Sequence, residues 1–275
     1  MTSSTVHLAE GEERPYYCGM LPGKSSAIRL ILASIFLLAC KPTSPSLGYQ
    51  ILQTFDHDPE AYTQGLLFHD GYLFESTGRY GSSTLRKVDP ATGRVVASVA
   101  VDSAYFAEGL ALVGSELIQL TWKAGIALVY DVETLELKTQ HDYSGDGWGL
   151  CFDGASLFMS DGSSTMFERD PQTFEVLSEI TVLEEGFTLP QINELECVGD
   201  FIYANVFQTD RIVKIDKRSG EVVGELDGYN LSLSARRSND SDAVLNGIAY
   251  IEETDVFLVT GKLWETLFAI KLTDD

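Results

Sequence analysis

Short apolar runs alternate with polar residues along most of this chain, and the alternation has the period of two that marks a half-buried strand. Leu85-Arg-Lys-Val88 and Ile212-Val-Lys-Ile215 are two such runs, each followed at once by an acid-led turn. Four of these turns recur: Asp89-Pro-Ala-Thr-Gly-Arg-Val95, Asp131-Val-Glu-Thr-Leu-Glu-Leu137, Asp170-Pro-Gln-Thr-Phe-Glu-Val176 and Asp216-Lys-Arg-Ser-Gly-Glu-Val222. Strand, turn and strand make a hairpin. A second hairpin stands upstream of each, as in Gly65-Leu-Leu-Phe-His-Asp-Gly-Tyr-Leu-Phe74, where Asp-Gly supplies the turn. The predicted unit is four antiparallel strands.

Aligned on their first strands, the units give Gln64-Gly65-Leu66, Glu108-Gly109-Leu110, Trp148-Gly149-Leu150, Asn193-Glu194-Leu195 and Asn246-Gly247-Ile248, so there are five. The last unit holds only three predicted strands (Gly247–Ile251, Val256–Val259, Leu267–Leu272), while Tyr49–Phe55 forms one ahead of the first unit. A closed ring explains both facts, because the N-terminal strand completes the fifth sheet and leaves no long open edge. The expected fold is all-β, a five-bladed β-propeller over residues 49–275. A β-sandwich also has many short strands, but not this register with one strand displaced to the other end. Ser232–Val244, rich in Ser, Arg and Asp, departs from the repeat and reads as a surface loop.

Composition adds a location. The chain has 275 residues and a formal net charge of -22, and residues 1–40 hold three acids against three bases, so the surplus falls on the rest. So acidic a body repels phosphate backbones, which argues against nucleic acid as a partner. Lys24 and Arg29 precede the apolar run Leu30–Leu38, too short to span a bilayer as a helix but suited to a secretory signal. The run ends in Leu37-Leu38-Ala39-Cys40, which resembles a bacterial lipobox whose cysteine is lipidated. Residues 1–40 are therefore expected to be a leader, with Met20 a better-proportioned start, and residues 41–48 a tether. The expected address is periplasmic, at a bacterial membrane, through a lipid on Cys40. An oxidising compartment permits a disulfide between Cys151 and Cys197. Both stand at the end of the same strand in successive repeats, where side chains need not meet, so unpaired thiols are the favoured expectation and the pairing stays open. The histidines, His7, His57, His69 and His141, are scattered singly, and no Cys/His metal spacing exists.

The first strand of each propeller blade lines the central channel, so Gln64, Glu108, Trp148, Asn193 and Asn246 should converge at its mouth. A purely structural ring would repeat one residue type; this one holds an acid, an indole and three amides. The glycines beside four of them suit close backbone approach near the axis. A second ring comes from the loops after the second strands: Gly78, Trp122, Gly162, Phe207 and Gly261, followed by Arg79, Lys123, Ser163, Gln208 and Lys262. With Tyr62 and Phe106, the aromatics can wall a small pocket holding one acid, Glu108, and one base, Lys262. Blade-to-blade packing is the plainer role for Tyr62, Phe106 and Phe207.

Eight stretches in order carry a resemblance: Tyr62-Thr-Gln-Gly-Leu66, Phe106-Ala-Glu-Gly-Leu110, Gln119-Leu-Thr-Trp-Lys123, Gly147-Trp-Gly-Leu150, Ile192-Asn-Glu-Leu-Glu196, Tyr203-Ala-Asn-Val206, Leu245-Asn-Gly-Ile-Ala-Tyr250 and Thr260-Gly-Lys262. Across residues 49 to 272 the chain is similar to the glutaminyl cyclases of plants and bacteria. The resemblance implies a five-bladed propeller and a cofactor-free, metal-independent acyltransferase that turns N-terminal glutamine of peptides into pyroglutamate and ammonia. It makes Glu108 the proton shuttle, puts Gln64, Asn193 and Lys262 on site positions, and puts Trp122 and Trp148 on the aromatic wall. Tyr62 stands where phenylalanine is usual and Phe207 where tryptophan is usual, which bears on side-chain preference more than on the reaction. Competing expectations are a propeller that binds ligand without chemistry, and a lactonase or sugar oxidoreductase with an axial metal. The latter needs several axial carboxylates, and the ring offers Glu108 with Glu194 beside it.

Overall fold

The computed structural model describes residues 44–274. The leader, its lipobox at Cys40 and residues 41–43 of the tether lie outside the described residues, and Leu47 and Gly48 at the tether's other end already belong to a strand. Five four-stranded antiparallel sheets account for nearly all of the rest. Blade 1 runs through Thr63–His69, Tyr72–Thr77, Thr84–Asp89 and Arg94–Ala100; blade 2 through Ala107–Val113, Glu116–Thr121, Ile126–Asp131 and Leu137–Asp142. Blade 3 comprises Leu150–Phe152, Leu157–Ser160, Thr165–Arg169 and Val176–Thr181, and blade 4 comprises Ile192–Val198, Phe201–Val206, Arg211–Asp216 and Val222–Asp227. Blade 5 takes Leu245–Ile251, Val256–Gly261 and Thr266–Asp274, and its outermost strand is Leu47–Asp56 from the other end of the chain. Asp56 pairs with Thr266 and Leu47 with Asp274, so the ring closes as the displaced strand required.

The repeated turn works through its first side chain. In Asp89, Asp131, Asp170 and Asp216 the carboxylate accepts backbone N–H groups two or three residues on, for example from Gln172 at 2.9 Å and Thr173 at 2.8 Å. These bonds hold the Asp131, Asp170 and Asp216 carboxyls below their usual range. The fifth residue of each turn has positive φ: Gly93, Leu135, Phe174 and Gly220. Leucine and phenylalanine adopt that conformation with their side chains buried against the preceding blade, Phe174 at 1% exposure.

Apolar residues collect in five clusters, one between each pair of neighbouring blades. Phe74 and Leu85 of blade 1 meet Leu110, Leu117 and Leu128 of blade 2, and the series ends where Leu66 and Leu73 of blade 1 meet Leu258 and Leu267 of blade 5. Near the axis the blades crowd: a Cβ on Gly65 or Gly109 would run into the backbone of Leu110 or Leu150 on the next inner strand. Glu194 takes the corresponding place in blade 4. Its carboxyl accepts the amides of Leu66 at 3.3 Å and Ile248 at 2.9 Å, tying three blades together at the core of the ring.

Two expectations need correction. Cys151 and Cys197 are bridged, with Cα atoms 5.5 Å apart. The two cysteines differ by one position in strand register, so alternation turns Cys151 to the face that meets blade 4 and Cys197 to the face that meets blade 3. Residues 232–244, expected as a surface loop, are largely exposed but begin inside a short helix, Tyr229–Ser234, whose Leu231 and Ser232 are buried. The stretch then folds back over blade 5, where Arg237 Nη1 and Trp264 Nε1 both donate to the Ala243 carbonyl.

Candidate active site

Propeller geometry sends the starts of the first strands and the ends of the second strands to the same face of the ring. A pocket of about 320 Å³ opens there, lined by Tyr62, Gln64, Phe106, Glu108, Trp122, Trp148, Asn193, Phe207, Asp242 and Lys262. Tyr62, Gln64, Phe106, Glu108, Trp122, Trp148, Asn193, Phe207 and Lys262, each proposed for the site from the sequence, are in this lining, whereas Arg79, Lys123, Ser163 and Gln208 of the second ring are not. Asn246 stands just behind, where its Nδ2 donates to the Thr63 carbonyl at 2.9 Å and approaches Gln64 Oε1 at 3.5 Å. Gln64 Nε2, so oriented, donates to Glu108 Oε1 at 3.1 Å.

The glycines of the second ring seat the aromatic wall. A Cβ on Gly78 would strike the ring of Phe106, and one on Gly162 the ring of Trp148. The rings then meet edge to face: Tyr62 with Phe106 at 6.1 Å, Phe106 with Trp122 at 5.7 Å and Trp148 with Phe207 at 5.4 Å between centroids. Packing and pocket lining are thus the same contacts, and the plainer role expected for these aromatics coexists with the functional one. Lys262 Nζ lies 4.8 Å from the Tyr62 ring centre and 4.9 Å from that of Phe207, a cation held between two π-faces.

Charge in the pocket is concentrated on three side chains. Burial pushes the Glu108 carboxyl well above the usual range; Lys262 draws it back and Asp146 pushes it further up. Burial lowers the Lys262 amine to about 8, against the pull of Glu108 and Asp242. Asp242 also faces the Tyr62 phenol, which burial and this carboxylate together push up. Two buried polar atoms of the lining, Trp148 Nε1 and Asn193 Oδ1, have no hydrogen-bond partner among the described residues. No three His, Cys, Asp or Glu side chains among the described residues stand close enough to hold a metal ion. Glu194, the second acid of the ring, is committed to backbone amides.

Comparison with known proteins adds a family to this geometry. The profile described as glutamine cyclotransferase matches residues 27–272. This chain belongs to the glutamine cyclotransferase family. It is 42% identical over 226 residues to the glutaminyl-peptide cyclotransferase of Arabidopsis thaliana, covering 81% of this chain and 71% of the relative. The crystal structure of Myxococcus xanthus glutaminyl cyclase superposes with a TM-score of 0.79 at 35% identity, over 83% of this chain and 98% of the other. The five-bladed architecture is thus that of a glutaminyl cyclase.

Asp242 is the one lining residue that the repeat did not point to. It sits on the connection between blades 4 and 5, outside any strand that repeats. The density of Ser and Asp around it marked a loop, and nothing in that composition says which acid turns inward.

Proposed function

We infer that this chain is an enzyme that cyclises the N-terminal glutamine of peptides and proteins to pyroglutamate, releasing ammonia. The observation that carries the reading is Glu108: a lifted, buried carboxyl in an aromatic-walled pocket, in a chain of the glutamine cyclotransferase family. A glutaminyl side chain carries its own nucleophile, the α-amine, so the task is to fold it back onto the δ-carbon and to move protons. Tyr62, Phe106, Trp122, Trp148 and Phe207 confine the chain in a bent form, which replaces a costly search by a preset geometry. Glu108 accepts a proton as the amine attacks the carboxamide carbon. The C–N bond to the departing nitrogen then breaks, and Glu108 returns the proton so that ammonia leaves. A carboxyl raised by burial serves both steps near neutral pH. Gln64, oriented by Asn246, fixes the position of Glu108. Lys262 stabilises the oxyanion of the tetrahedral intermediate, and Asn193 and Trp148 bring unpartnered polar atoms to the carboxamide. A binding module without chemistry gains nothing from an acid displaced in this way.

The location belongs to the same proposal: export by the leader and a lipid on Cys40 at the periplasmic face of a bacterial membrane. The Cys151–Cys197 bridge supports an oxidising compartment. Palmitate labelling that is lost in Cys40→Ser checks the anchor.

The activity is tested by ammonia release from glutaminyl-phenylalanine amide in the presence of EDTA. The expected result is turnover that the chelator leaves intact, since none of the proposed groups needs a metal. No ammonia from any glutaminyl peptide contradicts the reaction; loss restored by zinc or calcium contradicts the metal-free step.

A further inference from the structure

Every substrate of the proposed reaction brings one cation with it, the N-terminal ammonium, and none of the roles assigned above receives it as it arrives. The side chain of the glutamine must point inward for its carboxamide to meet Glu108 and Lys262, and the peptide must leave through the mouth. The α-carbon, bearing the ammonium, therefore sits at the level of the rim. Asp242 is at that level. It lines the pocket and is only partly buried, whereas Glu108 is 5% exposed and already receives Gln64.

The loop is fastened for the purpose. Arg237 and Trp264 bind the Ala243 carbonyl, the Val244 carbonyl accepts the Lys262 amide at 2.9 Å, and the Asp242 amide donates to Asp240 Oδ1 at 3.0 Å. Asp240 in turn reaches Arg79 of blade 1 at 3.8 Å, so the loop spans the rim from blade 5 to blade 1. Lys262, the one cation of the lining, is shared by Glu108 and Asp242, so the Asp242 carboxylate at the rim can take an arriving ammonium.

We propose that Asp242 docks the α-ammonium of the substrate, making it the group that distinguishes a free N-terminal glutamine from an internal or acylated one. The proposal rests on the cyclase reading for its substrate, and its test is chosen to stand without turnover. Calorimetric titration of the full-length protein uses two ligands that cannot cyclise: norleucyl-phenylalanine amide, which carries the ammonium, and hexanoyl-phenylalanine amide, the same skeleton without it. A charged hydrogen bond contributes about 1.5–3 kcal/mol, so the wild type should prefer the first ligand by about tenfold or more. In Asp242→Asn that preference should fall to within about twofold, with affinity for the neutral ligand unchanged. A preference that survives in Asp242→Asn overturns the proposal, as does its absence in the wild type. Equal weakening of both ligands shows a merely structural role and also overturns it. Failure of ammonia release with the preference intact would count against the reaction and leave Asp242 as an amine-binding group.

Discussion

Glu75 and Glu108 lie on neighbouring blades at similar depth, 1% and 5% exposed, and the protein drives them in opposite directions. Glu75 is fully partnered: Thr63 Oγ1 donates to it at 2.7 Å, His57 Nε2 lies at 3.1 Å, and Arg86 places two N–H groups on its other oxygen at 2.6 and 3.1 Å. Burial alone would raise it, but Arg86 and His57 outweigh burial and hold it far below the usual range. Arg86 also binds Asp58 at 2.7 Å and His57 binds the Trp264 carbonyl at 2.7 Å, so this network clasps the end of the closing strand to blades 1 and 5. Glu108 has one neutral donor, a single cation already shared with Asp242, and burial prevails. The same side chain is a clasp where its partners are complete and an acid–base group where they are not.

Predictions that break or sharpen this contrast differ in size. Glu75→Gln leaves a buried imidazole without its counter-charge and Arg86 with Asp58 alone, and should cost about 3–5 kcal/mol in chemical denaturation. A loss under about 1 kcal/mol would mean the network is incidental. Lys262→Ala should lower kcat by about 10²–10³-fold with the melting temperature little changed, because its charge is placed for the oxyanion and not for the fold. A change confined to KM would reassign it to substrate binding.

The smallest effect is one of sign. Because the Glu75 pKa is depressed in the folded state, its contribution is present above the ordinary carboxyl value and is lost as pH falls through the folded value. Glu108 is raised, so the folded state binds the proton more tightly and stability is lost as pH rises from the ordinary value through the folded one. Glu108→Gln should therefore melt above the wild type at pH 8 and level with it at pH 4, whereas Glu75→Gln melts below it at pH 8. Two variants shifted in the same direction at pH 8 would remove the distinction.

Much of this was legible in the chain. The blades repeat because each solves one problem, a turn whose aspartate satisfies its own backbone, and the repeat shows even where Leu135 and Phe174 stand in place of glycine. Gln64, Glu108 and Asn193 could be placed together because ring topology makes equivalent positions neighbours. What depends on contacts across the closure was hidden. His57 and Trp264 are 207 residues apart and meet only when the last strand pairs. The bridge of Cys151 to Cys197 depended on strand parity, and Asp242 lies where no repeat constrains the path.

The central claim is that Glu108 moves the proton of cyclisation. Its most direct test is the turnover of Glu108→Gln, in which size and hydrogen bonding are kept and the proton-carrying group alone is removed. With circular dichroism and melting showing an intact propeller, ammonia release from glutaminyl-phenylalanine amide should fall by about a hundredfold or more at saturating substrate. Turnover within about threefold of the wild type in that folded variant would contradict the account.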